Sequence, residues 1–114
     1  MHNIDGKPAV HIYETHANPA YLLEICAGLE EEGIPYAIGN INHGDVKALA
    51  FEAASHSRLR VGIGITCDEA ALQIRNCPAD KPVFIFNIEP SLANSQLRKL
   101  GTNAAKAVKG GVFV

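Results

Sequence analysis

The sequence predicts an α/β fold, a single small domain with a mainly parallel sheet of four to five strands flanked by helices. Some segments alternate apolar with other residues, as a strand does, and others repeat apolar residues every three or four positions, as one face of a helix does. The two patterns take turns along most of the 114-residue chain, which favours parallel strands connected by helices. We expect a loose lead-in over residues 1–8 and the folded domain over residues 9–114.

Clear signals bound the first strand and the first helix. Residues 9–15 alternate as a strand. Asn18 then offers a side-chain oxygen that can cap a helix, and Pro19 suits the first helical position. Gly33 ends the helix because glycine accepts the left-handed conformation of a final turn, and Pro35 prevents the helix from continuing.

The second strand is predicted over residues 34–40, and a polar loop separates it from the second helix. Asp45 follows the loop as a candidate cap for that helix. The inner face of the helix is apolar and comprises Val46, Leu49, Ala50 and Ala53. Phe51 lies off this face, so it packs either at the edge of the core or on a surface that meets a partner.

Two glycines share one face of the predicted third strand, residues 59–65. A face made by Gly62 and Gly64 lets a helix or another backbone approach closely, which is the structural interpretation of the pair. The functional alternative is a glycine-rich phosphate loop, but the segment lacks the third glycine of that motif.

The rest of the chain predicts two more strands and a long helix. Residues 71–75 indicate a short fourth strand, with helix as the alternative. Residues 82–88 are apolar at successive positions, which predicts a strand buried on both faces inside the sheet. From Ser91 a helical pattern continues to a glycine pair at residues 110–111, and residues 101–103 predict a kink or a new cap within it.

Composition and motifs exclude several functional classes. The net charge is −2 and the ten Lys and Arg residues are scattered, which argues against a nucleic-acid or anionic-membrane partner. No apolar run reaches about 18 residues and no N-terminal signal pattern occurs, so we expect a soluble cytoplasmic protein. The sequence has no Walker motif, no zinc-protease motif and no nucleophile elbow, so the motifs give little support to a catalytic activity.

The cysteines and histidines give little further evidence about function. Cys26, Cys67 and Cys77 form no Cys-x-x-Cys pair, which fits reduced thiols better than a disulfide framework. A reactive Cys67 thiol and a metal pair made by His11 and His16 are alternatives that the neighbouring sequence does not support.

The C-terminal end of the first helix carries three consecutive acids, Glu30, Glu31 and Glu32. A helix C-terminus carries partial negative charge and prefers cations, so this placement is locally unfavourable. With about 100° of rotation per residue, Glu31 points away from the apolar face that contains Leu22. The trio is either a solvated helix end or a site at which a cation or a basic partner surface offsets the repulsion.

Four segments between residues 23 and 113 share, in order, the pattern of a known family. They are Glu-Glu-Glu-Gly-Ile-Pro-Tyr at residues 30–36, Leu-Arg-Val-Gly-Ile at 59–63, Pro-Val-Phe at 82–84, and Gly-Thr-Asn-Ala-Ala at 101–105 continuing to Gly110. Together they resemble the small subunit of the reactivating factor for adenosylcobalamin-dependent diol and glycerol dehydratases. The fold of that subunit is similar to the dehydratase medium subunit.

The resemblance implies an accessory subunit rather than an enzyme. In that family the small subunit pairs with a large ATPase subunit, which holds the ATP, in a two-plus-two heterotetramer. The assembly binds inactivated dehydratase as its client, and the small subunit exchanges with the medium subunit so that damaged cobalamin is released. The complex is expected in the cytoplasm, with a bacterial microcompartment as the alternative.

The same resemblance implies a metal role for one residue. Glu31 corresponds to the family's glutamate that joins acids of the large subunit around a divalent cation, Mg²⁺ or Ca²⁺, at the subunit interface. The chain alone is expected to bind no cofactor.

Two other functions remain open at the level of sequence. The dehydratase medium subunit shares parts of the pattern, although such subunits are usually longer at the N-terminus. A free-standing small-molecule-binding or thiol-dependent α/β protein is the third possibility, and a ligand at the strand ends would indicate it.

Overall fold

Five strands form one sheet with helices on both faces in a computed structural model that describes residues 6–114. The strands are β1 (Val10–Glu14), β2 (Tyr36–Asn40), β3 (Val61–Ile65), β4 (Glu69–Ile74) and β5 (Phe84–Asn87). The helices are α1 (Pro19–Glu31), α2 (Val46–His56) and α3 (Ala93–Lys109), and a 3-10 turn at Pro90–Leu92 leads into α3. Residues 1–5 of the expected lead-in lie outside the described residues.

The sheet has the strand order β2-β1-β3-β4-β5. β1 pairs in parallel with β2 and β3, whereas β4 pairs antiparallel with β3 and with β5. β4 is reversed because only residues 66–68 separate it from β3, and so short a connection joins antiparallel neighbours. Four strands therefore run in the same direction, and the predicted α/β class with a mainly parallel sheet is confirmed in this mixed form. The fourth segment is a strand and not a helix.

The predicted position of β5 inside the sheet is wrong, because β5 is an edge strand. Phe84 and Phe86 are half-buried and pack on the core beneath α3, while Ile85 on the opposite face is 42% exposed. An apolar residue on each face suggests burial on both, but sequence does not show which strand pairs with which. Here one face of β5 is covered by a helix and the other face is open.

The two predicted helix caps are confirmed. Asn18 Oδ1 accepts a hydrogen bond from the Ala20 N–H at 2.9 Å, and Asp45 Oδ1 accepts one from the Ala48 N–H at 2.9 Å. Each satisfies a backbone donor that the first turn leaves without a helical partner.

The predicted kink or new cap at residues 101–103 is wrong, since α3 continues through them to Lys109. Gly101 instead lies where α3 crosses α1. A Cβ added to Gly101 would overlap the Ile25 carbonyl, and one added to Gly28 would overlap the Arg98 carbonyl. The two glycines therefore allow close contact between helices rather than breaking one of them.

The glycine face of β3 has the structural role predicted for it. A Cβ on Gly62 would meet the backbone of Ala53 and Ala54, and one on Gly64 would meet the backbone of Val46 and Ala50. α2 packs on this face, and α1 and α3 cover the other. Phe51 of α2 is 36% exposed, so part of this side chain lies at the surface of the domain.

Candidate partner interface at the acidic end of α1

The last turn of α1 displays the three glutamates at one end of the domain. On the inner side of the same helix Ile25, Cys26 and Leu29 are buried. Glu32 is the C-terminal cap, and Gly33 follows with φ +73°, as predicted for a left-handed helix end. Packing therefore fixes the backbone that carries the acids.

Glu31 forms an ion pair within the chain. Its Oε2 accepts a hydrogen bond from Nη1 of Arg98 on α3 at 2.8 Å, and Nη2 of Arg98 lies 3.1 Å from Glu24 Oε1. The Glu31 side chain is 59% exposed, which agrees with the outward direction expected from helical geometry. Neither alternative drawn from the sequence anticipated this arrangement, in which a neighbouring helix offsets the acidic helix end.

Glu32 has its own basic partners on α3. Its Oε1 lies 3.1 Å from Nζ of Lys109 and 3.8 Å from Nζ of Lys106. The hydrogen bond from Lys109, followed by the positive charges of Lys106 and Lys109, lowers the pKa of Glu32 below its ordinary value. The α1–α3 contact thus includes a row of opposite charges at its solvent edge.

Glu30 is bound on the other side of the helix, toward β2. The Tyr36 hydroxyl donates a hydrogen bond to Glu30 Oε2 at 2.6 Å. This bond to an anionic acceptor is the largest reason that the pKa of Tyr36 is raised, because ionised Tyr36 would lose it. Cys26 lies against the same pair, and burial raises the pKa of its thiol, which favours the unreactive protonated form.

The described residues do not form a complete metal site by themselves. Within residues 6–114, no group of three or more His, Cys, Asp or Glu side chains could hold a metal ion. Glu31 presents carboxylate oxygens of the kind that Mg²⁺ and Ca²⁺ prefer, and Arg98 would have to share or release them. A cation at Glu31 therefore needs further oxygen ligands from another chain.

A buried polar group on the α2 face was not identified from the sequence. The Tyr13 hydroxyl is hydrogen-bonded to Nδ1 of His56 at 2.6 Å and lies 3.5 Å from Nδ1 of His11. Burial, and then the charge of Glu52, raises the pKa of Tyr13 to about 12. The sequence signal for this group was the pair of polar residues, His11 and Tyr13, at alternate positions of a buried strand. Only the packing of α2 on β1 brings His56 next to Tyr13.

The remaining candidate residues are dispersed. His16 is exposed and hydrogen-bonded to Thr15 at 3.4 Å, whereas His11 is buried. The three cysteines are free thiols, with Cys26 buried, Cys67 exposed and Cys77 half-buried. These positions give no support to the alternatives of a histidine metal pair or a reactive thiol.

The family model of the dehydratase medium subunit matches residues 7–114, and the chain belongs to this family. Its curated relatives are, more particularly, small subunits of dehydratase-reactivating factors. The propanediol dehydratase-reactivating factor small subunit of Salmonella typhimurium is 40% identical over 116 aligned positions, which cover 99% of this chain and 96% of the relative. The Citrobacter freundii protein of the same name is 35% identical over 106 positions, 93% of this chain and 90% of the relative.

Solved structures agree with these sequence relatives. A diol dehydratase-reactivating factor complexed with ADP and Mg²⁺ contains a chain with a TM-score of 0.85 and 31% identity, covering 96% of this chain and 99% of that one. A glycerol dehydratase reactivase gives a TM-score of 0.87 and 36% identity, covering 95% of this chain and 97% of that one. The resemblance to the reactivating-factor small subunits is confirmed.

Among the described helices, none is both long enough and apolar enough to cross a bilayer.

Proposed function

We propose that this chain is the small subunit of a diol or glycerol dehydratase-reactivating factor. The observation that carries the proposal is agreement in both sequence and fold over nearly the whole chain, at 40% identity to one such subunit and a TM-score of 0.87 to a reactivase structure. In this role the chain is an accessory subunit, and its partner is a larger subunit.

The proposed mechanism is subunit exchange. The chain shares its fold family with the dehydratase medium subunit, so it can occupy the position of that subunit in an inactivated dehydratase. Loosened packing of the client then releases damaged cobalamin. The larger subunit binds and uses ATP, and the factor contains two copies of each subunit.

Glu31 is the residue that we propose links the two kinds of subunit. Its carboxylate is one oxygen ligand of an interface cation, Mg²⁺ or Ca²⁺, and acids of the larger subunit complete the site. The support is positional, because Glu31 is exposed on a helix end whose other face is buried. Arg98 holds the Glu31 carboxylate in the free chain and limits the repulsion among the acids.

A pull-down from the native source with the tagged chain tests the function. We expect it to recover a larger ATPase subunit and, from cells with inactivated enzyme, dehydratase subunits. Recovery of a large catalytic subunit that retains cobalamin would instead identify the chain as a dehydratase medium subunit, a candidate that the name of the matching family model favours. A stable monomer carrying a small molecule would indicate the free-standing alternative. Fractionation of the same cells distinguishes a free cytoplasmic complex from one in a microcompartment.

Calorimetry tests the role of Glu31. We expect Glu31→Ala to weaken binding to the larger subunit, and a chelator of divalent cations to reproduce part of the loss with the unaltered chain. Glu30→Ala and Glu32→Ala are the matched controls and should have smaller effects. Equal affinity after Glu31→Ala and after chelation would remove Glu31 from the interface.

A further inference from the structure

The outer edge of β5 has open backbone hydrogen-bonding groups. The Ile88 N–H donates to the Asp68 carbonyl at 2.8 Å, and Phe86 lies opposite Ala70 in the same register. In an antiparallel pair, successive residues point their N–H and C=O groups to opposite sides. The backbone groups of Ile85 and Asn87 therefore point away from β4, and no described residue bonds to them. Such an edge is a template for another strand.

An apolar groove lies beside this edge, between β5 and α3. Its volume is about 290 Å³. The lining residues are Phe84, Ile85, Phe86, Gln96, Lys99, Leu100, Asn103 and Val114. Asn103 holds Val114 at the groove, because the Val114 N–H donates to Asn103 Oδ1 at 2.8 Å and a main-chain oxygen of Val114 accepts from Asn103 Nδ2 at 3.2 Å. A groove of this size accepts the side chain of a segment that lies along β5.

The rim of the groove carries one cation that is not used inside the domain. Lys99 is exposed and takes part in none of the hydrogen bonds or ion pairs of residues 6–114. The neighbouring Arg98, by contrast, is paired with Glu24 and Glu31 on the side facing α1. A carboxylate on the incoming segment would complement Lys99.

We propose that the free edge of β5 binds an extended segment of the larger subunit as an added strand, with an apolar side chain in the β5–α3 groove and an acidic side chain at Lys99. The inference rests on the proposed function, because it takes the larger subunit as the partner. Main-chain bonds to Ile85 and Asn87 supply affinity, and the groove with Lys99 selects the segment.

A second copy of this chain is a poorer occupant of the same edge. Two copies joined along their β5 edges would be related by a two-fold axis perpendicular to the sheet, with both α3 helices on one face. That arrangement brings the two Lys99 ammonium groups to a shared rim, where like charges repel.

The experiment measures the affinity of matched variants of this chain for the larger subunit, which is purified from the complex with its native partner. Ile85→Pro removes one outward N–H and should weaken binding at least about tenfold. Ile38→Pro is the control, because Ile38 is 37% exposed on β2, the opposite edge strand. The Ile41 N–H donates to the Glu14 carbonyl of β1. Because backbone groups alternate in direction along a strand, the Ile38 N–H points outward. The effect of Ile38→Pro should stay within about twofold.

Two charge-reversal variants, a test and its control, keep the proposal testable if the proline variant does not fold. Lys99→Glu should weaken binding about fivefold at low salt and less at high salt, whereas Lys47→Glu, at an exposed position of α2, should change it little. Hydrogen exchange on the unaltered complex should show the Ile85 and Asn87 amides slowed at least about tenfold relative to the free chain.

Each other outcome contradicts the proposal. A normal complex in which both amides exchange as fast as in the free chain overturns the β5 site and leaves the proposed function intact. Protection that appears in the isolated chain and rises with its concentration assigns the edge to a second copy. Failure of the unaltered chain to bind any larger subunit overturns the proposed function and this proposal together.

Discussion

The Arg98 guanidinium bridges the two helices that cover one face of the sheet, lying 2.8 Å from the Glu31 carboxylate and 3.1 Å from that of Glu24. The acidic end of α1 is therefore balanced by a cation from the same chain. Any partner that binds Glu31 competes with Arg98 for it.

The first prediction concerns the energy of this ion pair. Its side chains are 40% and 59% exposed, so water screens the attraction. In a double-mutant cycle with Arg98→Ala and Glu31→Gln, we expect a coupling free energy of about 0.2–1 kcal/mol from urea unfolding. A coupling well above this range would mean that the pair is a main determinant of α1–α3 packing. Salt should reduce the coupling if it is electrostatic.

The second prediction concerns the helix crossing. Gly101→Ala would ordinarily stabilise a helix, but here the new methyl group overlaps the Ile25 carbonyl. We expect the free energy of unfolding to fall by about 1–3 kcal/mol as α1 and α3 are pushed apart. Asn94→Ala, at an exposed position of the same helix, should change it by less than about 0.5 kcal/mol. Equal or greater stability of Gly101→Ala would contradict the observed crossing.

The third prediction concerns alkaline pH. Because burial raises the pKa of Tyr13 to about 12 from 10.0, the folded state favours the neutral phenol. The resulting stability is fully present below pH 10 and is lost as pH rises from 10 towards 12. Tyr13→Phe should remove the contribution of Tyr13 to this loss of stability at alkaline pH. It should also lower the free energy of unfolding at neutral pH by about 1–2 kcal/mol, because the bond to His56 is lost.

Tyr36→Phe is the control for the alkaline experiment, because the pKa of Tyr36 is also raised, by its bond to Glu30. Unfolding of both variants and the double variant by urea at several pH values separates the two contributions. An unchanged alkaline slope in Tyr13→Phe would show that its hydroxyl is not the titrating group.

The fourth prediction concerns acid pH. The hydrogen bond from Lys109 lowers the pKa of Glu32 below its ordinary value of 4.5. The corresponding stability is present above pH 4.5 and is lost as pH falls through the lowered pKa. Glu32→Gln should therefore flatten the acid limb of stability against pH. Glu89→Gln, at an exposed carboxylate outside the ion pairs of the described residues, should leave that limb unchanged.

Local sequence by itself determined most of the elements of this protein. Asn18, Asp45 and Gly33 set helix ends through bonds and φ angles that involve only a few neighbouring residues, so their roles are readable from the chain. The bare face at Gly62 and Gly64 likewise predicted that a helix or another backbone approaches β3, and α2 is the element that does so. The outward direction of Glu31 followed from helical rotation alone.

Only the tertiary structure decided which elements meet. The edge position of β5, the crossing at Gly101 and the pairing of Arg98 with Glu31 join residues far apart in sequence. The pattern of apolar residues indicates how much surface a segment must bury, but it does not indicate which other element covers that surface. The same pattern therefore fits both a central strand and an edge strand with one open side.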